Sequence, residues 1–239
     1  MSVGTPQPGS STASPLNVTY RMDRVQPYLH GRWLDFGCAD GGYVAEMLQR
    51  GAESVDGVDV MEERIAEALT RDLPGATFQA FDGSRLPFED ARFDGVFMNE
   101  VLEHVADEGV ALSEIARVLR PGGRLLLMSP NRWFPVEGHR LVVRGKEINS
   151  PSPLVPWLPD RMTRPVRTAR NYWPRQMRRL VQRAGLHVDG VEFVWPVLEY
   201  YPWLPARGIA FYQRHFRSWD HLPGIRRFGV STMIVATKP

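Results

Sequence analysis

The sequence predicts a doubly wound α/β fold, in which a mostly parallel sheet is covered by helices on both faces. Short runs of nearly all-apolar residues alternate with single helical segments along most of the chain, as expected when strands are buried on both faces. Glycine and proline punctuate the changes from one element to the next. With 239 residues, of which 43% are hydrophobic and 23% charged, the chain can bury a sizeable core in one domain.

The elements follow from these runs in chain order. Seven strands are predicted, at 32–36, 54–60, 76–80, 93–98, 124–128, 188–195 and 228–236. Helices are predicted at 22–29, 42–50, 62–70, 109–119 and 174–184. The Pro-Gly-Gly at 121–123 is expected to stop the fourth helix, and Gly185 the fifth, because neither residue type continues a helix well.

Two stretches interrupt the alternation of strands and helices. Residues 130–172, after the fifth strand, are rich in proline and tryptophan, and residues 197–227 are rich in aromatic residues. Long irregular segments of this kind are usually functional, so both are predicted to be substrate-lid insertions. Residues 1–15 are mostly Gly, Pro, Ser and Thr and are predicted to be a disordered tail. Residues 16–239 are predicted to form a single domain.

The charge is divided unevenly along the chain. Residues 1–131 hold 11 basic and 20 acidic residues, whereas residues 132–239 hold 18 basic and 7 acidic ones. The basic residues are 27 Arg and 2 Lys. Arginine suits carboxylate and phosphate groups, so the second half could face an anionic substrate. The alternative is that these arginines are ordinary solvated side chains.

Several protein classes are disfavoured by composition. A single cysteine, Cys38, excludes an internal disulfide and leaves too few thiols for a cysteine zinc cluster. No run of 18 apolar residues is present, and the N-terminus lacks the apolar core of a secretory signal. The expected compartment is the cytoplasm.

Four motifs lie where predicted strands end. They are LDFGCADGG at 34–42, GVDV at 57–60, FDG at 81–83 and MNE at 98–100. In open α/β sheets the carboxyl ends of the strands form the ligand crevice, so the four motifs should converge there. The glycine spacing in the first motif matches neither the G-x-G-x-x-G dinucleotide pattern nor a phosphate loop. The missing dinucleotide pattern disfavours a dehydrogenase.

The order and spacing of these motifs resemble those of class I S-adenosylmethionine-dependent methyltransferases, of the bacterial small-molecule type. The resemblance covers roughly residues 30–131 and ends with LRPGGRLLLMSPN. It implies a Rossmann-like, seven-stranded sheet whose last strand is antiparallel, with a lid insertion after the fifth strand. It also implies S-adenosylmethionine as cofactor.

The same resemblance implies which residues hold the cofactor. The turn from Asp35 to Gly41 would surround its methionine part, Asp59 its ribose and Asp82 its adenine. Arg21 would reach its carboxylate, or else lie on the surface. The full implied set is Arg21, Asp35, Gly37, Cys38, Ala39, Asp40, Gly41, Asp59, Val60, Asp82, Gly83, Asn99 and Glu100. The family commonly has glycine where this chain has Ala39, which is small enough to keep the turn.

Two histidines, His104 and His139, are the candidate catalytic residues. The pattern Glu100-x-x-Glu103-His104 is similar to the magnesium site of ubiquinone-pathway O-methyltransferases and small-RNA 3′-end methyltransferases, and is expected to begin a helix. These three residues are therefore tentative metal ligands. The alternative, in which His104 packs under the sheet, Glu103 is solvated and no Mg²⁺ is bound, is favoured. The segment SPNRWFPVEGHR resembles one in bacterial small-molecule methyltransferases, and makes His139 the candidate general base or substrate-orienting group.

The expected reaction is methyl transfer to a hydroxyl or carboxylate oxygen of a secondary metabolite, sugar or lipid-like intermediate. The alternatives are a metal-assisted RNA methyltransferase and a non-catalytic scaffold that binds the cofactor; nucleic acid is disfavoured because no RNA-binding module is present. The substrate is expected to be anionic or amphipathic, and the oligomeric state is left open. Aromatic residues could line its pocket, rest on a membrane or pack in the core: Trp133, Phe134, Trp157, Trp195, Tyr200, Tyr201 and Trp203.

Overall fold

The computed structural model describes residues 15–148, 151–196, 205–219, 222 and 224–239. Most of the predicted tail, and the aromatic residues Tyr200, Tyr201 and Trp203, lie outside the described residues. Pro15, predicted as the end of the tail, is the first residue of a helix. Proline is well tolerated there because the first helical N–H groups have no intrahelical acceptor.

The strands, in chain order, are β1 (Arg32–Phe36), β2 (Ser54–Asp59), β3 (Ala76–Ala80), β4 (Phe93–Asn99), β5 (Leu119–Pro130), β6 (Val136–Glu137), β7 (Leu141–Val143), β8 (Lys146–Ile148), β9 (Ser152–Pro153), β10 (His187–Val194) and β11 (Ser231–Thr237). The α-helices are α1 (Pro15–Val25), α2 (Gly42–Gln49), α3 (Glu62–Leu69), α4 (Glu108–Val118), α5 (Asp160–Thr163), α6 (Pro174–Arg183) and α7 (Ala206–Trp219). Short 3₁₀ turns lie at Gln26–Tyr28, Val155–Trp157 and Ile225–Phe228.

The central sheet confirms the predicted fold class. Its seven strands run in the order β10-β11-β5-β4-β1-β2-β3. Strands β1 to β5 pair in parallel, whereas β11 is antiparallel to both β5 and β10. The last strand is therefore inserted between its two neighbours, and the predicted Rossmann-like sheet with an antiparallel last strand is present.

Alternate side chains of the sheet feed two separate cores, one on each face. Leu34 of β1 packs in a cluster with residues of α4 and α6, such as Ile115 and Met177. The preceding residue, Trp33, packs on the other face with residues of α1 and α2, such as Met22 and Met47. Because successive side chains of a strand point to opposite faces, nearly all-apolar strands require this double cover.

Some predicted boundaries were wrong. The Pro-Gly-Gly at 121–123 does not precede β5 but lies within it, at a register irregularity opposite β4. Phe228, predicted as the first residue of the last strand, ends a 3₁₀ turn. The first helix begins at Pro15 rather than at residue 22, and its predicted end, 26–28, is a 3₁₀ turn.

The insertion after β5 contains small elements of its own. β6 pairs with β9 and β7 with β8, both antiparallel, followed by a 3₁₀ turn and the short helix α5. It returns to the sheet at Tyr172, whose N–H donates to Pro130 O at 3.0 Å and whose carbonyl accepts from Arg132 N at 2.9 Å. The two ends of the insertion are therefore joined at the end of β5.

We expect Gly95→Ala to lower the free energy of unfolding by about 1–3 kcal/mol, because overpacking a full core has that cost. A Cβ at Gly95, in the middle of the sheet on β4, would collide with the buried indole of Trp33. Urea denaturation measures the change. Gly190→Ala on β10 is the matched control, since a Cβ there meets nothing within 4 Å. Equal destabilisation by the two variants would contradict this packing.

Candidate active site

A cavity of about 980 Å³ lies at the carboxyl ends of β1, β2, β4 and β5. Its lining includes residues from all four strand-end motifs and from the insertion. Of the set implied for cofactor binding, Gly41, which directly precedes α2, is not part of the lining. All the others line this cavity: Arg21, Asp35, Gly37, Cys38, Ala39, Asp40, Asp59, Val60, Asp82, Gly83, Asn99 and Glu100. His104 and His139 line it as well. The convergence expected from the sheet geometry is therefore present.

The turn between β1 and α2 depends on two glycines with positive φ. Gly37 has a φ of 84°, and a Cβ there would collide with the side chain of Val101. Gly41, with a φ of 78°, directly precedes α2. Ala39 also has a positive φ, 48°, a conformation that a residue with a Cβ rarely adopts. This turn places backbone close to the cavity and leads into the N-terminus of a helix.

Asp59, at the end of β2, fixes that turn. Its Oδ2 accepts from Ala39 N at 3.0 Å, and its Oδ1 accepts from Met61 N at 2.9 Å. A carboxylate oxygen can accept more than one hydrogen bond, so both oxygens can still receive a hydroxyl from the cavity. Asp59, which belongs to the second motif, therefore helps to fix the conformation of the turn in the first motif.

Asp35 is a buried carboxyl at the end of β1. Its Oδ2 has no hydrogen-bond partner among the described residues. Burial, together with the negative charges of Asp59 and Asp40, raises the pKa of Asp35 to about 8. A buried acid in this state favours a cation beside it, because a positive charge in the cavity would stabilise the carboxylate.

Asp82 follows β3 and is exposed. Its Oδ1 accepts from Ser84 N, Ser84 Oγ and Arg85 N, at 2.8, 2.7 and 3.3 Å. These bonds lower the pKa of Asp82 and hold the loop. All three use Oδ1, which leaves Oδ2 available for a donor in the cavity.

Arg21 on α1 is buried rather than on the surface. Its guanidinium donates to Asn99 Oδ1 at 2.8 Å, to Glu100 Oε1 at 2.9 Å and to Ser231 Oγ at 3.0 Å. Ser231 Oγ also donates to Glu100 Oε1 at 2.5 Å. The Arg21 charge and the Ser231 bond overcome burial and lower the pKa of Glu100. Arg21 therefore stabilises an anion inside the protein, and Glu100 is bound to it rather than to the other tentative metal ligands.

A second cluster contains Glu103, His104 and His139. Their ligand-type atoms lie within 4.8 Å of one another. Glu103 Oε2 accepts from Ser129 Oγ at 2.7 Å, but Glu103 Oε1 and His104 Nδ1 are buried and have no partner among the described residues. Burial raises the pKa of Glu103 to about 8, aided by Glu100, and lowers the pKa of His104 to about 4, aided by His139. Three such donors could hold a divalent cation.

This cluster differs from the tentative metal set of Glu100, Glu103 and His104. The pattern was expected to begin a helix, but Glu103 and His104 lie on a turn. The helix α4 begins later because Asp107 caps it, accepting from Gly109 N at 2.7 Å and from Val110 N at 3.1 Å. On this turn the ligand-type atoms of Glu103 and His104 lie within 4.8 Å of that of His139, whereas Glu100 is hydrogen-bonded to Arg21 and Ser231.

His139 is paired with a buried carboxylate, Glu137. Glu137 Oε1 lies 3.2 Å from His139 Nδ1 and accepts from the His139 backbone N–H at 3.0 Å. Glu137 Oε2 accepts from Asn171 Nδ2 at 2.5 Å, and Arg167 lies 3.7 Å away. Burial lowers the pKa of His139, but the hydrogen bond to Glu137 and the charge of Glu103 outweigh it, so the pKa of His139 is raised overall.

Polar residues outside the predicted site set also line the cavity, among them Tyr43, Glu137, Asn171 and Ser231. Glu137 carried a signal, because it is two residues from His139 in a recognisable segment. Asn171 and Ser231 carried none, because only the return of the insertion and of the last strand brings them to the cavity.

Comparisons with known proteins agree with this geometry. A family model described as "Methyltransferase domain" matches residues 34–127. An O-methyltransferase, cnsE of Penicillium expansum, is 34% identical over 137 residues, which are 55% of this chain and 49% of that protein. The ubiquinone biosynthesis O-methyltransferase of Xylella fastidiosa is 30% identical over 216 residues, which are 83% of this chain and 76% of that protein.

The chain belongs to the class I S-adenosylmethionine-dependent methyltransferases. In the first four curated relatives that the chain matches, the matched region is less than half of the relative's own length, between 30% and 49%. A solved methyltransferase from Mesorhizobium loti has the same fold, with a TM-score of 0.61 at 18% identity, covering 92% of this chain and 98% of that one. Among the residues of this methyltransferase that the structure describes, no helix has the length and apolar character to cross a membrane.

The cavity of this methyltransferase suits the family's cofactor. S-adenosylmethionine carries a sulfonium and an ammonium, and the unpartnered Asp35 Oδ2 is a buried acceptor for positive charge. The two oxygens of Asp59 match a pair of ribose hydroxyls, and Asp82 Oδ2 matches an amino group. The residues present therefore fit the cofactor.

Proposed function

We propose that this methyltransferase acts on a small molecule, and transfers the methyl group to a hydroxyl oxygen. The observation that carries this proposal is the Glu137–His139 pair, which lines the same cavity as the glycine turn. A hydroxyl must lose its proton as it attacks, so a positioned histidine aids it, whereas a carboxylate acceptor needs no base. Relatives that methylate oxygen support the choice: one is the 27-O-demethylrifamycin SV methyltransferase of Amycolatopsis mediterranei.

The proposed mechanism assigns each residue an action at a stated atom. Glu137 accepts a hydrogen bond from His139 Nδ1, which leaves Nε2 as the basic nitrogen. His139 Nε2 takes the proton of the substrate hydroxyl, and Asn171 holds Glu137 in place. Asp35 and Asp59 would hold S-adenosylmethionine, which when bound would supply an electrophilic methyl group to the substrate oxygen and leave as S-adenosylhomocysteine.

A panel of hydroxyl-bearing and carboxylate-bearing small molecules, incubated with cofactor labelled at the methyl group, tests the proposal. We expect label in a base-stable methyl ether and an equal amount of S-adenosylhomocysteine. Label confined to base-labile esters or to RNA would contradict it. If no small molecule is labelled, calorimetric titration with S-adenosylhomocysteine alone distinguishes two explanations. Binding would mean that the substrate is missing from the panel, and no binding would mean that the chain does not bind the cofactor.

A metal-assisted reaction is the second candidate, favoured by the unpartnered Glu103 Oε1 and His104 Nδ1. A divalent cation held by Glu103, His104 and His139 would bind the substrate oxygen and lower its pKa. We expect Mn²⁺ titrated into the parent protein to give a saturable one-to-one heat, which Glu103→Gln and His104→Ala abolish. Glu108→Gln, outside the cluster, is the control. Absence of Mn²⁺ binding with the cofactor site filled would leave His139 as the base.

A further inference from the structure

An exposed aromatic surface lies beside the mouth of the cavity. It consists of Trp133, Trp157, Trp173 and Phe228, each between 37% and 47% exposed. The Trp133 ring centroid lies 5.3 Å from that of Trp173 and 5.9 Å from that of Phe228. The indole N–H of Trp157 donates to Trp133 O at 3.3 Å. Four separate segments supply these residues, so the fold assembles the surface.

The segments 131–135, 152–168, 173–175 and 224–230, which carry these four residues, hold further exposed apolar side chains. Of the fifteen large hydrophobic residues that are exposed in the described part of the chain, eight lie in these segments: the four aromatic residues together with Leu154, Leu158, Met162 and Ile225. Scattered exposed hydrophobic residues are normal on a protein surface, but a concentration of this kind marks an interaction site.

Unpaired arginines accompany these apolar residues. Arg161, Arg164, Arg226 and Arg227 are exposed, and none of their side chains has an ion pair or hydrogen bond in the described residues. The only acidic residue in 131–135, 152–168, 173–175 and 224–230 is Asp160. Arg132 and Arg167 approach Asp160 at 2.7 and 3.7 Å. The surface therefore presents a net positive charge.

Internal hydrogen bonds hold the segments together. The buried Arg132 donates to Pro156 O at 2.7 Å and to Leu158 O at 2.8 Å. Asn131 Nδ2 donates to the carbonyl oxygens of Arg227 and Gly229, each at 2.7 Å. The aromatic side chains are thus exposed on an anchored backbone, as a docking surface requires.

From this combination we propose that the aromatic surface docks on an anionic lipid membrane. Tryptophan and phenylalanine settle at the headgroup boundary, the aliphatic residues enter the acyl region, and the unpaired arginines bind lipid phosphates. Asn131, Phe134 and Val230, next to this surface in the chain, line the cavity. Docking would therefore bring the mouth of the cavity to the membrane. This arrangement suits a substrate that is carried on a lipid tail, an inference that rests on the proposed function.

Sedimentation with vesicles of phosphatidylcholine, with and without phosphatidylglycerol, tests the proposal. We expect binding only to the anionic vesicles. Each arginine near an anionic surface is worth about 1 kcal/mol, or roughly fivefold in affinity, so the double reversal Arg226→Glu with Arg227→Glu should weaken binding at least about twentyfold. Trp157→Ser with Phe228→Ser should weaken it at least about tenfold, because apolar burial is lost.

Matched controls lie away from this surface. Leu69→Ser, on α3, removes an exposed apolar side chain, and Arg32→Glu reverses an exposed arginine; both should bind vesicles like the parent. No binding to anionic vesicles, equal binding to neutral ones, or parental binding by the two double variants would overturn the proposal. Calorimetry with S-adenosylhomocysteine on the same samples verifies folding. It also separates the two proposals, because vesicle binding and cofactor binding can each fail alone.

Discussion

Replacing His139 with alanine is expected to slow methyl transfer by about 10²- to 10⁴-fold, the usual contribution of a positioned base. The affinity for S-adenosylhomocysteine should stay unchanged, because His139 lies with the insertion rather than with the cofactor motifs. Turnover with labelled cofactor and calorimetry measure the two quantities on one sample. A turnover equal to the parent's would show that His139 is not the base.

The pH dependence of turnover provides an independent test of His139. A base must be unprotonated, and the pKa of His139 is raised, so turnover should climb with pH through a value above the ordinary histidine range. Glu103→Gln should move this rise toward lower pH, because it removes a charge that raises the pKa of His139. The pKa of Glu103 is itself raised to about 8. If the turnover of this variant no longer increases with pH, the group that titrates in the parent is Glu103 rather than His139.

Replacing Asp59 with alanine is expected to abolish measurable binding of the cofactor. Hydrogen bonds to a charged acceptor contribute about 1.5–3 kcal/mol each, so losing two predicts at least about 10²-fold weaker binding. The turn would also lose its bond from Ala39 N. Calorimetric titration with S-adenosylhomocysteine measures the affinity, and circular dichroism verifies the fold.

Asp56→Asn is the matched control for Asp59. Asp56 is buried on the same strand, β2, but it pairs with Arg92 at 2.8 Å, and Asp56 is not among the residues that line the cavity. It should leave cofactor binding intact. Equal loss of binding in both variants would mean that β2 is simply destabilised, and would withdraw the ribose assignment.

The sequence was sufficient to predict the strand-end half of the site. Asp59 ends β2, Asp35 is the last residue but one of β1, and Asp82 lies two residues after β3. Parallel pairing brings such strand ends together at one edge of the sheet. The resemblance needed only local spacing, and the comparisons confirm the family. Most errors concerned boundaries, where a single capping residue such as Asp107 decides between helix and turn.

The other half of the site could not be predicted from local patterns. Ser231 reaches Glu100 because β11 is inserted between β5 and β10, with Ser231 opposite Pro130. Asn171 reaches Glu137 because the insertion returns at Tyr172. Such contacts depend on long-range register, which the apolar pattern of a strand leaves unspecified. The roles of these residues remain predictions.

The junction of Arg21, Glu100 and Ser231 has a consequence for biosynthesis on the ribosome. These residues lie 79 and 131 positions apart along the chain. A nascent chain that has emerged only as far as β10 already contains all four strand-end motifs. It still lacks β11, which pairs with β5, and therefore also the Ser231 hydroxyl that completes this junction. We therefore expect the cavity to bind the cofactor only after β11 has left the exit tunnel and has paired with β5.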